Sequence, residues 1–155
     1  MRKVFAMMRQ RFADLKCNDD TVEDFENSWF ISMFGSMEES PFFQRTHNNV
    51  LLLQVDDINI KQVDTIEKEE DLMFFTKEQA QQVIDFFKKM GEDFTLVVHC
   101  GAGVSRSGAI AEFARTYFNL NYDDFKNNNP HILPNTLIVQ KLRECHLESQ
   151  LQDNK

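Results

Sequence analysis

The chain has 155 residues, 42% hydrophobic and 27% charged, which excludes a disordered polypeptide and suits one globular domain with a sizeable core. Its net charge of −8 argues against a broad surface for nucleic acid or an anionic membrane, because such partners need clustered Lys and Arg. A local anion site remains compatible with that charge, since a row of amides and one arginine can hold a phosphate inside an acidic protein.

In chain order, KVFAMM (3–8) and WFISMF (29–34) have the continuous apolar character of buried strands. The opening stretch, MRKVFAMMRQRFADLKC, is too short and interrupted for a signal peptide, and Asp14 weighs against a transit peptide. NVLLLQV (49–55) is a third strand. The acidic, weakly periodic stretch 56–75 follows as a long loop, a class of segment that often carries function. Thr76 is an N-cap with Glu78 two residues on, and Ala80, Val83, Ile84, Phe86 and Phe87 recur at helical spacing until Gly91 stops the helix. TLVVHC (95–100) is the fourth strand. Helices are expected over 107–120 and 134–149, the latter with Pro134 at its start, and a short helix or turn over 122–129. Alternation of strands and helices predicts an α/β domain. No run approaches the ~18 apolar residues of a membrane span. Cys17, Cys100 and Cys145 are odd in number and lack a Cys-x-x-Cys pair, which fits neither a disulfide framework nor a zinc site. The expectation is one cytoplasmic domain over 1–155 with no metal, cofactor, nucleic acid or membrane requirement; its oligomeric state is open.

The segment TLVVHCGAGVSRSG (95–108) carries the chemistry. A strand, a glycine-bearing loop and a helix form a phosphate-binding layout, because successive backbone amides point inward and the helix adds its positive end. Neither familiar nucleotide loop fits: the Gly-Lys-Ser/Thr of a Walker loop is missing, and Arg106 stands where a dinucleotide fingerprint needs glycine. Cys100 falls at the mouth of this loop, in the kind of position that favours the thiolate. Arg106 has the planar fork to grip two phosphoryl oxygens, which a lysine lacks. The combination describes phosphoryl transfer to sulfur.

The run from His99 to Ser107, His-Cys-five residues-Arg-Ser, resembles the signature of the cysteine-dependent protein tyrosine phosphatases, and within them the compact dual-specificity-like branch. The resemblance extends roughly from NVLLLQVDD to PNTLIVQKL; the N-terminal third matches only in general pattern. It implies a central, mostly parallel twisted sheet flanked by helices on both faces, with the site at the C-terminal end of strand 95–100. Cys100 would be the nucleophile that forms a cysteinyl phosphate, and Arg106 would bind phosphate and transition-state charge. Ser107 would assist the departing sulfur, and His99 would stiffen the loop from beneath. The amides of Gly101, Ala102, Gly103, Val104, Ser105 and Arg106 would line the phosphate pocket. Asn135 would support the loop by hydrogen bonding.

The same resemblance requires a general acid. LLLQVDDIN offers Asp57, which aligns best, and Asp56; the longer loop that follows leaves Asp71 as a third candidate. Against these readings stand plainer ones. Cys17 and Cys145 are core thiols, His47, His131 and His146 are surface or satisfied residues, the EKEED run (67–71) is a solvated face, and Ser107 and Asn135 could serve only as helix caps. The expected substrate is a phosphorylated protein or a small phosphomonoester. The alternatives are a phospho-binding module of the same fold, or a phosphatase for phosphoinositide or RNA 5′-phosphate. The uncharged interior of the loop, residues 101–105, ranks those highly charged substrates last.

Overall fold

The computed structural model describes residues 1–36, 41–59 and 72–153. Asp71, the 67–71 run and most of the long loop therefore lie outside the described residues. Four strands, β1 (Arg2–Met8), β2 (Ser28–Phe34), β3 (Val50–Gln54) and β4 (Phe94–Cys100), form a sheet in the order β1-β4-β2-β3. All three pairings are parallel, with Met8 opposite Cys100 and Ser32 opposite His99. The α/β reading holds, and each predicted strand agrees with the observed one to within a residue at either end.

Parallel strands buried on both faces need apolar residues at successive positions, and β4 supplies them. Leu96, Val98 and Cys100 face the larger core with Val4, Ala6, Ile31, Met33 and Leu53. Val97 faces the smaller one with Met7 and Phe30. On the larger side pack α2 (Lys77–Lys88), α3 (Arg106–Tyr117) and α5 (Thr136–Asp153), while α4 (Tyr122–Asn128) adds Phe125 near β1. Thr76 is the expected N-cap, and it closes a capping box with Gln79. The helix ends at Lys88, before Gly91, and α5 starts two residues after Pro134 and runs to 153, beyond the expected 149.

The smaller side holds elements the periodicity did not predict: α1 (Arg9–Asp14) and a 3-10 turn at Val22–Asp24. Six residues are too few for an autonomous helix, so α1 depends on tertiary packing. Phe12 provides it, fully buried and in edge contact with Phe30, Phe42 and Phe43. Truncating such a side chain costs about 3–5 kcal/mol. At the sheet edge, β1 is protected by side chains that imitate a neighbouring strand. Asn129 accepts from Ala6 N–H at 2.7 Å and donates to Val4 O at 2.8 Å, and His131 Nε2 donates to Ala6 O at 2.9 Å.

Candidate active site

The parallel register brings the C-terminal ends of β1 and β4 together, and the 101–105 loop starts there. Its turn depends on Gly103, whose φ of +74° lies in the left-handed region and whose absent Cβ would collide with the backbone of Met7 and Met8. Arg9 N–H, just past β1, donates to Gly101 O at 3.1 Å. On the other side, Leu133 N–H and Asn135 N–H each donate at 3.0 Å, to Val104 O and Ser105 O. The loop is thus tied to the chain before and after it.

Cys100 is buried at the root of this loop. Gly103 N–H donates to its sulfur at 3.3 Å, and Ser107 Oγ lies 3.2 Å from the same atom. The Gly103 amide and the Ser107 hydroxyl thus both lie within hydrogen-bond distance of the sulfur. Arg106, also buried, opens α3, and its Nη1 donates to Val55 O at 3.0 Å, across from the loop. Ser107 lies inside α3 rather than at its cap position, which Ser105 occupies.

The adjacent aspartates separate cleanly. Asp56 is half-buried and staples two chain segments: it accepts from Ser36 N–H and Oγ at 3.0 and 2.9 Å and from Met73 N–H at 2.7 Å. Burial pushes its carboxyl up, but the hydrogen bonds from Met73 and Ser36, with the charge of Arg106, outweigh that and hold it below its ordinary range. Asp57 is exposed and faces the loop, its Oδ1 accepting from Ser105 Oγ and Asn135 Nδ2, each at 2.7 Å. Asn135 has a second task, because its Oδ1 accepts from Ile138 N–H at 3.1 Å and caps α5. Capping and site support coexist in one side chain.

Beneath the loop, His99 is fully buried, stacked on Phe12 with centroids 4.1 Å apart, and hydrogen-bonded through Nε2 to Ser32 Oγ at 2.6 Å. Burial, then the charges of Arg9 and Arg106, push its pKa down to about 3, so the ring is neutral. Ser32 and Arg9 were not singled out in the sequence. Only strand register could have suggested Ser32, and Arg9 carries no local motif. Cys17 and Cys145 are buried core thiols, and burial raises both pKa values, that of Cys17 to about 11. No group of His, Cys, Asp and Glu among the described residues could hold a metal ion.

A scan against family models finds no match, and a search of curated proteins finds no similar sequence. Solved structures do match. PTPMT1 in complex with PI(5)P superposes with a TM-score of 0.53 at 16% identity, over 97% of this chain and 94% of that one. A second PTPMT1 structure gives 0.54 at 15% identity, over 98% and 94%. Human DUSP28 gives 0.50 at 14% identity, over 96% and 94%. The chain shares the fold of these solved structures, a four-stranded parallel sheet packed between helices. Identity at this level carries the fold and leaves substrate and turnover to the chemistry of the site.

Proposed function

We propose that the protein is a metal-independent phosphomonoester hydrolase that acts on phosphoproteins through a cysteinyl phosphate. Phosphotyrosine is the principal substrate, with phosphoserine and phosphothreonine as the wider range. The observation that carries this reading is the convergence of Gly103 N–H and Ser107 Oγ on Cys100 Sγ, at 3.3 and 3.2 Å, at the foot of an arginine-closed loop.

In the first step the Cys100 thiolate attacks phosphorus, the S–P bond forms and the P–O bond to the leaving group breaks. Asp57 donates the proton that the departing oxygen needs. Loop amides and the Arg106 fork hold the equatorial oxygens, where charge accumulates. In the second step Asp57 takes a proton from water, the oxygen attacks phosphorus, and the S–P bond breaks while the Ser107 hydroxyl donates to the leaving sulfur. Inorganic phosphate departs. Asp57 is preferred over Asp56 because it is exposed and faces the loop, whereas Asp56 is committed to three donors from Ser36 and Met73. A cytoplasmic location is part of this reading, resting on the unpaired cysteines.

A phospho-binding module of the same fold is the second reading. It is favoured by the engagement of Arg106 Nη1 with Val55 O and of Asp57 Oδ1 with two donors, contacts that would have to loosen during turnover. Hydrolysis of p-nitrophenyl phosphate in excess chelator separates the two. Vanadate-sensitive turnover that Cys100→Ser abolishes supports the hydrolase; phosphopeptide binding without turnover across a broad pH range supports the module. A phosphoinositide, as in the PTPMT1 complex, ranks lower, because residues 101–105 carry no Lys or Arg for further phosphates.

A further inference from the structure

Ser105 stands at the N-cap of α3, yet its side chain makes no capping hydrogen bond. The polar residues that begin α2, α4 and α5 do cap: Thr76 accepts from Gln79 N–H, Asn121 from Asp124 N–H and Asn135 from Ile138 N–H. Ser105 instead donates its hydroxyl hydrogen to Asp57 Oδ1 at 2.7 Å. Asn135 Nδ2 donates to the same oxygen at 2.7 Å, and Asn135 N–H donates to Ser105 O at 3.0 Å. The three residues close a ring that runs from the phosphate loop through the start of the last helix to the aspartate. Both donors fall on Oδ1, and no hydrogen bond among the described residues reaches Oδ2. Asp57 is exposed, so Oδ2 is the oxygen left to meet a substrate.

We propose that Ser105 is a positioning residue for proton transfer: with Asn135 it holds Asp57 by Oδ1, so that Oδ2 carries the proton to and from the reacting groups. This role rests on the hydrolase reading and gives the Ser105 side chain a task beyond that of its backbone amide. A carboxyl oxygen has two lone pairs, and those of Oδ1 are taken by the Ser105 hydroxyl and the Asn135 amide. A proton on Oδ1 would displace one of these donors, so it resides on Oδ2. As the P–O bond breaks, its electron pair goes to the leaving oxygen, which takes the proton from Oδ2 and departs neutral. The carboxylate that remains keeps both donors, now as charge-assisted bonds. When water attacks, its proton goes back to Oδ2. The contacts on Asp57 need to loosen during turnover only if Oδ1 transfers the proton; with Oδ2 in that part they persist. The forgone cap has the same explanation. Ser105 immediately precedes Arg106, so its hydroxyl ties the acid to the loop that holds the phosphoryl group and fixes the geometry between them.

The test compares phenyl phosphate, whose leaving oxygen needs a proton, with p-nitrophenyl phosphate, whose leaving anion is far more stable. The readout is the ratio of kcat/KM for p-nitrophenyl phosphate to that for phenyl phosphate, which reports the steps through P–O cleavage. In Ser105→Ala that ratio should rise ~10-fold or more, a part of the ~10²-fold or larger contribution of a general acid. Ser105→Thr keeps the hydroxyl and should return the ratio to near its wild-type value. Asp57→Asn should raise the ratio too, and adding Ser105→Ala to it should leave the ratio where Asp57→Asn put it, because the two residues act as one unit. Ratios within one variant do not depend on how much of it is folded. If wild-type protein hydrolyses neither ester, the hydrolase reading fails and the role of Ser105 falls with it. If it hydrolyses both and the ratio in Ser105→Ala stays at the wild-type value, the role of Ser105 alone is overturned. A rise that Ser105→Thr does not reverse, or that adds in full to the effect of Asp57→Asn, overturns it as well, since the hydroxyl would then not act through Asp57.

Discussion

Asn135 joins the start of the last helix to the exposed aspartate of the site: its Nδ2 donates to Asp57 Oδ1 at 2.7 Å while its Oδ1 accepts from Ile138 N–H at 3.1 Å. One amide thus fixes a helix and a carboxylate that are 78 positions apart in sequence. Asn135→Ala should cost about 1 kcal/mol from the lost cap alone. Asn135→Ser keeps a capping oxygen and removes the donor to Asp57. It should therefore regain most of the melting temperature without regaining kcat. Equal recovery of both would mean that Asn135 acts through the helix alone.

The two adjacent aspartates should part company under mutation. Asp57→Asn is expected to lower kcat for phenyl phosphate by ~10² or more, with ligand binding kept, the usual span for a general acid. Asp56→Asn should mainly lower stability, by about 1–3 kcal/mol, because it weakens the staple between Ser36 and Met73. Asp71→Ala should leave kcat within about twofold, well short of the general-acid span. If Asp71→Ala shows the hundredfold loss and Asp57→Asn does not, the acid is misassigned.

Gly103→Ala tests the loop without touching its chemistry. A side chain at φ +74° costs about 1–2 kcal/mol before contacts are considered, and here it also meets the Met7 and Met8 backbone. The melting temperature should fall and phosphate affinity with it. Gly91 is the control, because a Cβ there meets nothing within 4 Å. Equal tolerance at the two glycines would contradict the packing described.

His47 predicts a pH dependence of stability. Its Nδ1 and Nε2 bond to Glu23 at 2.9 Å and Asp19 at 2.8 Å, and those carboxylates raise its pKa above the ordinary value of 6.5. A raised folded value means the latch stabilises fully below the unfolded pKa and fades as pH climbs through the folded one. Asp19, held down to about 2 by Gln44 N–H and then by His47, loses its contribution only as pH falls below about 4. His47→Gln should therefore lower the melting temperature most near about pH 5.5 and least near about pH 9. A penalty that grows with pH would show that His47 is not held as the cation.

Much of the site was legible because its parts are consecutive: strand, loop and helix from 95 to 108 carry the nucleophile, the arginine and the turn in one run. The continuous apolar strands also read correctly, since a doubly buried parallel sheet leaves little room for polar residues. What stayed illegible depends on distance in sequence. Nothing local distinguishes Asp56 from Asp57; the difference comes from Ser36 and Met73 on one side and Ser105 and Asn135 on the other. The six residues of α1 have one buried apolar side chain, Phe12, too little for a helical period to register. With that helix unread, the place of Arg9 beside Gly101 could not be seen either.

The most direct test is to locate the phosphoryl group during turnover. Wild-type protein mixed with a radiolabelled phosphopeptide, quenched in acid within the first turnover and digested, should carry the label on the fragment containing Cys100, with none in Cys100→Ser. Release of phosphate with no label on Cys100, or undiminished turnover by Cys100→Ser, would contradict a cysteinyl-phosphate mechanism.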